Sequence, residues 1–206
     1  MRFDIRSTYY PIPSEPDDYI RAHEVSILCA CADEDTGEVV AGRVAVDYLD
    51  ITRAEAAGQD ICHICDADSQ GWSDVYAATI EPATDFAEIR RDFEFDDPVF
   101  GLVFVHQAVL HRSLDDWRQM IFDSICEMFP PESATVMWKH TTEMTDKELA
   151  SLGFRIVAGH NLLFRPNMLK HAYITAEDER APLFDLQVPA DAEDWVEEHW
   201  DPTDMD

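Results

Sequence analysis

Val99-Phe100-Gly101-Leu102-Val103-Phe104-Val105-His106-Gln107-Ala108-Val109-Leu110 is the stretch that decides the fold. Val99, Val103, Val105 and Val109 fall on one face of an extended chain. Phe100, Leu102, Phe104 and Leu110 carry apolar character to both faces. A strand apolar on both faces is covered on both sides, so this one belongs in the middle of a sheet. After it, Ser113 is placed to cap a helix, with Asp116 at the reciprocal capping position. Leu114, Trp117, Met120, Ile121, Ile125 and Met128 form one apolar stripe at helical spacing, and Pro130-Pro131 ends it. A strand over Ala134–Lys139 follows. Thr145 and Glu148 make a capping box for a short helix that ends at Gly153. Phe154–Val157 and Leu162–Arg165 read as a hairpin around Ala158-Gly159-His160-Asn161.

Upstream, Val25–Cys31 and Val39–Leu49 alternate without breakers, and Asp33-Glu34-Asp35-Thr36-Gly37 joins them as a β-hairpin. Cys29 and Cys31 share a strand face and read as small buried hydrophobes, as does Cys126 on its helix. Residues 1–24 form an extended lead-in, with Phe3 and Ile5 on one face and prolines at 11, 13 and 16. Thr52, with Glu55, is expected to cap a helix through Ala54, Ala56, Ala57, Ile61, Ile64 and Cys65, weakened in the middle by Gly58. A second helix is expected around Ser73–Ile80. The fold class is therefore α+β: a mixed, mostly antiparallel central sheet flanked by helices over residues 1–170, followed by an acidic C-terminal tail over 171–206.

Charge narrows the function. The 206 residues hold 15 Lys+Arg against 43 Asp+Glu, a net charge of −28. Such a surface repels phosphate, which argues against direct binding of nucleic acid or of an anionic membrane. A basic protein, an amine substrate or mimicry of nucleic acid remain, beside plain solvation. No apolar run approaches the ~20 residues of a membrane span. Met1–Arg6 alternates in charge and shows no apolar signal region, so the expected location is cytoplasmic. From Glu177 on, 12 acids meet one base, Arg180.

The order hairpin, helices, buried strand, capped helix, strand, short helix, Leu152-Gly153-Phe154 and hairpin resembles the GNAT superfamily of N-acetyltransferases over roughly residues 25–165. There the central strand feeds a loop and helix that hold the acetyl-CoA pyrophosphate, and a Leu-Gly-Phe signature precedes the last two strands. The resemblance implies that strand-edge N–H groups near Val105–Val109 hold the pantetheine arm. It leaves Arg112, Ser113 and Arg118 near the pyrophosphate. It places His106, inside the central strand, as a base for an amine proton or as the residue that holds a water for that role; the other reading is a histidine satisfied within the core. The chain departs from the family in two places. The glycine-containing phosphate loop is replaced by Asp115-Asp116-Trp117-Arg118, with no glycine from Leu102 to Ser151. Leu149 stands where the family's acidic Tyr is expected. Acetyl-CoA, the possible cofactor, is therefore expected to bind weakly or not at all. The first expectation is a binding or regulatory module towards a basic protein. The alternatives are an active acyl-CoA-dependent N-acyltransferase on an amine acceptor and, third, an acidic nucleic-acid mimic.

Two further motifs stand out. Cys62-His63-Ile64-Cys65 has half the ligands of a closed zinc site, and no second Cys pair supplies the rest. Core packing is its default reading, and no metal is assigned. In Asp194-Trp195-Val196-Glu197-Glu198-His199-Trp200, the residues Trp195, Val196, His199 and Trp200 would share one edge of a helix capped by Asp191. Trp195, His199 and Trp200 are candidates for docking on a partner; the other reading packs that edge on the chain's own domain.

Overall fold

The structure, a computed structural model, describes residues 1–33, 35, 37–81, 87–93, 98–142, 144–157, 159–168 and 186–201. The strands are β1 (Arg2–Ser7), β2 (Ile20–Cys31), β3 (Glu38–Asp50), β4 (Gly101–Leu110), β5 (Ser133–Trp138), β6 (Arg155–Ile156), β7 (Leu162–Pro166) and β8 (Gln187–Val188). The helices are α1 (Ile51–Ala56), α2 (Ile61–Asp68), α3 (Gln70–Thr79), α4 (Arg118–Glu127), α5 (Asp146–Ser151) and α6 (Ala192–His199). The strands form one sheet in the order β1-β2-β3-β4-β5-β7-β6, with β8 paired to β2 off that path. Pairing is antiparallel except for β4 with β5 and β2 with β8. This is the mixed, mostly antiparallel sheet with flanking helices that the patterning implies. β4 lies mid-sheet, as its two apolar faces require.

Each face of the sheet carries its own core. Val25, Val44, Val46, Val103, Val105 and Met137 pack with α4 and α5 through Ile121, Ile125 and Leu149. Leu49, Leu102, Phe104, Val136 and Phe164 pack with α1 to α3 through Ala54, Ile64, Trp72 and Val75. The alternation of β4 residues between the two cores is the period-2 rule at work. Inside the first core, Arg165 donates to Asp123 at 2.5 Å with both side chains fully buried. A buried pair of this kind is costly to break from one side only.

Several local readings change. The segment expected as one helix from Thr52 is two. Asp50, not Thr52, caps α1 by accepting from Arg53 N–H at 3.0 Å. Gly58, at φ 73°, ends that helix, and Asp60 caps α2. A left-handed residue costs glycine little, so the chain turns where the pattern suggested only a weak point. Ser69 caps α3, which starts three residues earlier than expected. Ser113 is not a cap. His111 accepts from Ser113 N–H, and residues Arg112–Trp117 run as a 3-10 helix into α4. The Thr145–Glu148 capping box and the positive φ of Gly153 are present as read. The lead-in contributes a strand, β1, and β2 begins at Ile20 rather than Val25.

The C-terminal segment from 186 to 201 joins the fold. β8 extends the sheet beside Ala30 and Cys31. Val188, Ala192 and Val196 are fully buried, and α6 lies over β3 and β4. The expected domain limit at 170 falls among residues outside the described ones. Among the described residues no helix is long and apolar enough to cross a membrane.

Candidate functional site

His106 stands where two irregularities of the sheet coincide. Ala45 pairs with Gln107 while Val46 pairs with Val105, so His106 is an extra residue, a β-bulge in β4. β4 also pairs with its parallel neighbour only from Gly101 to Val105. From His106 to Leu110 it pairs with β3 alone, so one edge of the backbone faces away from any strand. The His106 carbonyl accepts from the Thr141 hydroxyl at 3.3 Å.

The alternation of β4 puts the ring with Phe104 on the α1–α3 side of the sheet. His106 Nε2 lies 2.6 Å from Asp47 Oδ2, with the His side chain 6% exposed. A carboxylate can only accept, so Nε2 carries the proton and Nδ1 keeps its lone pair when the ring is neutral. Trp72 donates its indole N–H to the same oxygen at 3.1 Å. The Phe104 ring lies 4.0 Å from the imidazole, and Trp72 meets Phe104 edge-on at 5.6 Å. Asp68, at the end of α2, is a second carboxylate nearby. Burial, and then the charge of Asp47, push its pKa up to about 6. The result is a histidine oriented by a carboxylate, in dry surroundings, at the point where two parallel strands part.

Asp47, Asp68 and Trp72 were not singled out from the sequence. Asp47 did leave a signal: it is the only polar residue in the buried run from Val44 to Leu49. An acid inside such a run needs a partner, and His106 and Trp72 are those partners.

The other candidates fall elsewhere. Val105 is fully buried, and Val109 is half-buried on the part of β4 that pairs with β3 but not with β5. Arg112 is exposed and Ser113 half-buried in the 3-10 helix. Arg118 donates to Asp115 at 2.9 Å. Arg118 N–H is bonded to the Asp115 carbonyl and Leu114 N–H to the His111 carbonyl, so the 3-10 turn occupies donors that would otherwise point out of the helix start. Burial lowers the pKa of His111. Trp195 and His199 stack on one another at 4.1 Å, and Trp195 meets His111 edge-on at 5.4 Å. Trp200 lies over the Arg43 guanidinium, which also pairs with Glu197. These side chains therefore contact the chain's own sheet and the segment after β4. Cys65 is fully buried, and burial raises its pKa; Cys62, expected on the same core face, is exposed instead.

A hollow lies on the opposite side of the sheet. Ile5, Ser7, Arg21, His23, Tyr48, Asp50 and the end of the α4 segment, Met128-Phe129-Pro130, line a cavity of about 430 Å³. Nothing in the strand pattern marks it. It exists because β1, which the prolines of the lead-in made hard to read, closes one wall.

No family model matches the chain, and neither curated proteins nor solved structures yield a match.

Proposed function

We propose that the protein transfers an acyl group from a thioester donor to a basic amine, with His106 as the base. The support is one observation: a carboxylate-oriented histidine at a bulge where β4 leaves β5. Asp47 accepts a hydrogen bond from Nε2–H and so leaves the Nδ1 lone pair to take a proton from the attacking amine. As the amine nitrogen bonds to the acyl carbon, the carbon–sulfur bond breaks, and the His106 imidazolium returns the amine proton to the departing thiolate, which leaves as the thiol. Acetyl-CoA is the donor implied by the resemblance to GNAT acetyltransferases, with its pantetheine arm along the unpaired edge near Val105–Val109. The start of α4 fits a pyrophosphate poorly, because the Leu114 and Arg118 N–H groups are bonded and two carboxylates, Asp115 and Asp116, stand beside it. Two unit charges about 4 Å apart cost about 1 kcal/mol even in bulk water. A weak donor affinity is therefore part of the proposal. A cationic acceptor suits the helical layer over the site. Residues 51–79 hold Glu55, Asp60, Asp66, Asp68 and Asp74 against a single Arg53.

The closed start of α4 favours a second reading, a GNAT-like module that has lost its donor and binds a basic protein through the same acidic layer. Calorimetry with acetyl-CoA, and transfer assays on a panel of polyamines and lysine peptides, separate the two. The first reading expects slow transfer that falls by roughly 100-fold or more in His106→Ala. If there is neither donor heat nor transfer, acyl transfer is ruled out, and salt-sensitive association with the lysine peptides would then support the binding reading.

A further inference from the structure

We infer that the cavity between β1–β3 and the end of α4 is a binding site for a small carboxylate with an aromatic body. The inference stands apart from the acyl-transfer reading, since the cavity opens on the other face of the sheet from His106.

The polar groups set the headgroup. Arg21 spends one terminal nitrogen on Asp50 at 3.1 Å, while its Nε is buried with no partner among the described residues. His23 Nε2 is likewise buried with no partner among the described residues. Leaving such groups unpaired costs about 1–3 kcal/mol each, more for a charged one. A guanidinium N–H can only donate, and a carboxylate is the group that best accepts from it; the His23 ring, whose pKa burial lowers, adds a second donor as the neutral Nε2–H tautomer. Asp50 is already used on both oxygens: Oδ2 takes Arg21, and Oδ1 takes the Arg53 N–H that caps α1. An ammonium group would stand beside the Arg21 guanidinium, a like charge, so a simple acid fits better than an amino acid.

The apolar wall sets the body. Phe129 stacks on Tyr48 at 5.6 Å and meets His23 edge-on at 5.3 Å. Tyr48 also lies 5.7 Å from the Arg21 guanidinium, and Tyr9 covers that guanidinium at 4.7 Å. Met128, Pro130 and Ile5 complete the lining. The Tyr48 ring keeps its place because Gly101 has no side chain; a Cβ there would sit 2.6 Å from the ring. The volume of about 430 Å³ lies in the range of ordinary small-molecule sites.

The probes are 1-naphthylacetate and 1-naphthylacetamide, which share a body and differ in the headgroup. Titration calorimetry on the full chain should show the acid binding at least tenfold tighter than the amide. Arg21→Met should erase that difference. The α-amino acid naphthylalanine should bind more weakly than the acid. Equal affinities for acid and amide, or an unchanged preference in Arg21→Met, would overturn the carboxylate assignment. Should neither probe bind the native protein, the site itself is refuted. The acid–amide comparison needs no variant and stands even where Arg21→Met fails to fold.

Discussion

The two polar regions of the sheet differ in how their groups are satisfied. On the α1–α3 face, His106 and Trp72 both bond to Asp47, and Phe104 packs against the two rings. On the α4 face, Arg21 and His23 keep buried nitrogens with no partners among the described residues beside an open hollow. Buried polar groups cost free energy unless paired. The first region meets that cost internally, so its geometry is set before anything binds, which suits a base that must point one way. The second leaves it unmet, which suits a site that a ligand completes.

The comparison can be tested by breaking the closed region first. Trp72→Ala should give the largest effect. The indole is fully buried, packs on Phe104 and donates to Asp47. Its loss should cost about 3–5 kcal/mol, read from urea unfolding. A cost below 1 kcal/mol would mean the region is not closed as described.

Asp68→Asn should act in the opposite direction. Burial lifts this carboxyl from 3.8 to about 6. A group that holds its proton more tightly when folded costs nothing while both states are protonated. The cost appears as pH rises from 3.8, and it is complete above about 6. Asparagine removes it, so the variant should gain stability at neutral pH, by no more than about 3 kcal/mol. It should gain nothing below pH 3.8. A gain independent of pH would separate Asp68 from the buried carboxylate pair.

The open region is probed by Gly101→Ala. The new Cβ must displace the Tyr48 ring. Overpacking of this kind costs about 1–3 kcal/mol, and the shifted ring should reduce naphthylacetate binding at least tenfold. Unchanged binding would show that Tyr48 does not hold the cavity open. The smallest effect belongs to the surface beside α4. Asp115→Ala removes a pair with Arg118 in which Asp115 is 58% exposed, and stability should change by less than about 0.5 kcal/mol. The same variant should tighten any binding of acetyl-CoA, because it takes away a like charge. Weaker binding would reverse the electrostatic argument at the helix start.

Much of the framework was legible along the chain. The hairpin from Val25 to Leu49, the strand ending at Leu110 and the Thr145–Glu148 box are short-range patterns, and each is present. Capping choices were harder. Asp50 caps where Thr52 was expected and His111 where Ser113 was, because a cap depends on where the preceding strand or turn delivers the chain. Of the site, only His106 was visible. Its partner Asp47 lies 59 residues away along the chain, and no local pattern carries that distance.

What the sequence determined by itself is the class of the fold and its orientation: strand and helix periods, apolar faces, and an acidic balance that disfavours anionic partners. Those properties follow from side chains read a few residues at a time. Only the tertiary structure decided that His106 is the bulged residue, that Asp47 meets both it and Trp72, and that Arg21 Nε and His23 Nε2 have no partners among the described residues beside a hollow. The physical reason is register. Cross-strand pairing with one extra residue sets which side chains share a face. That register is the outcome of the whole sheet closing on two cores at once.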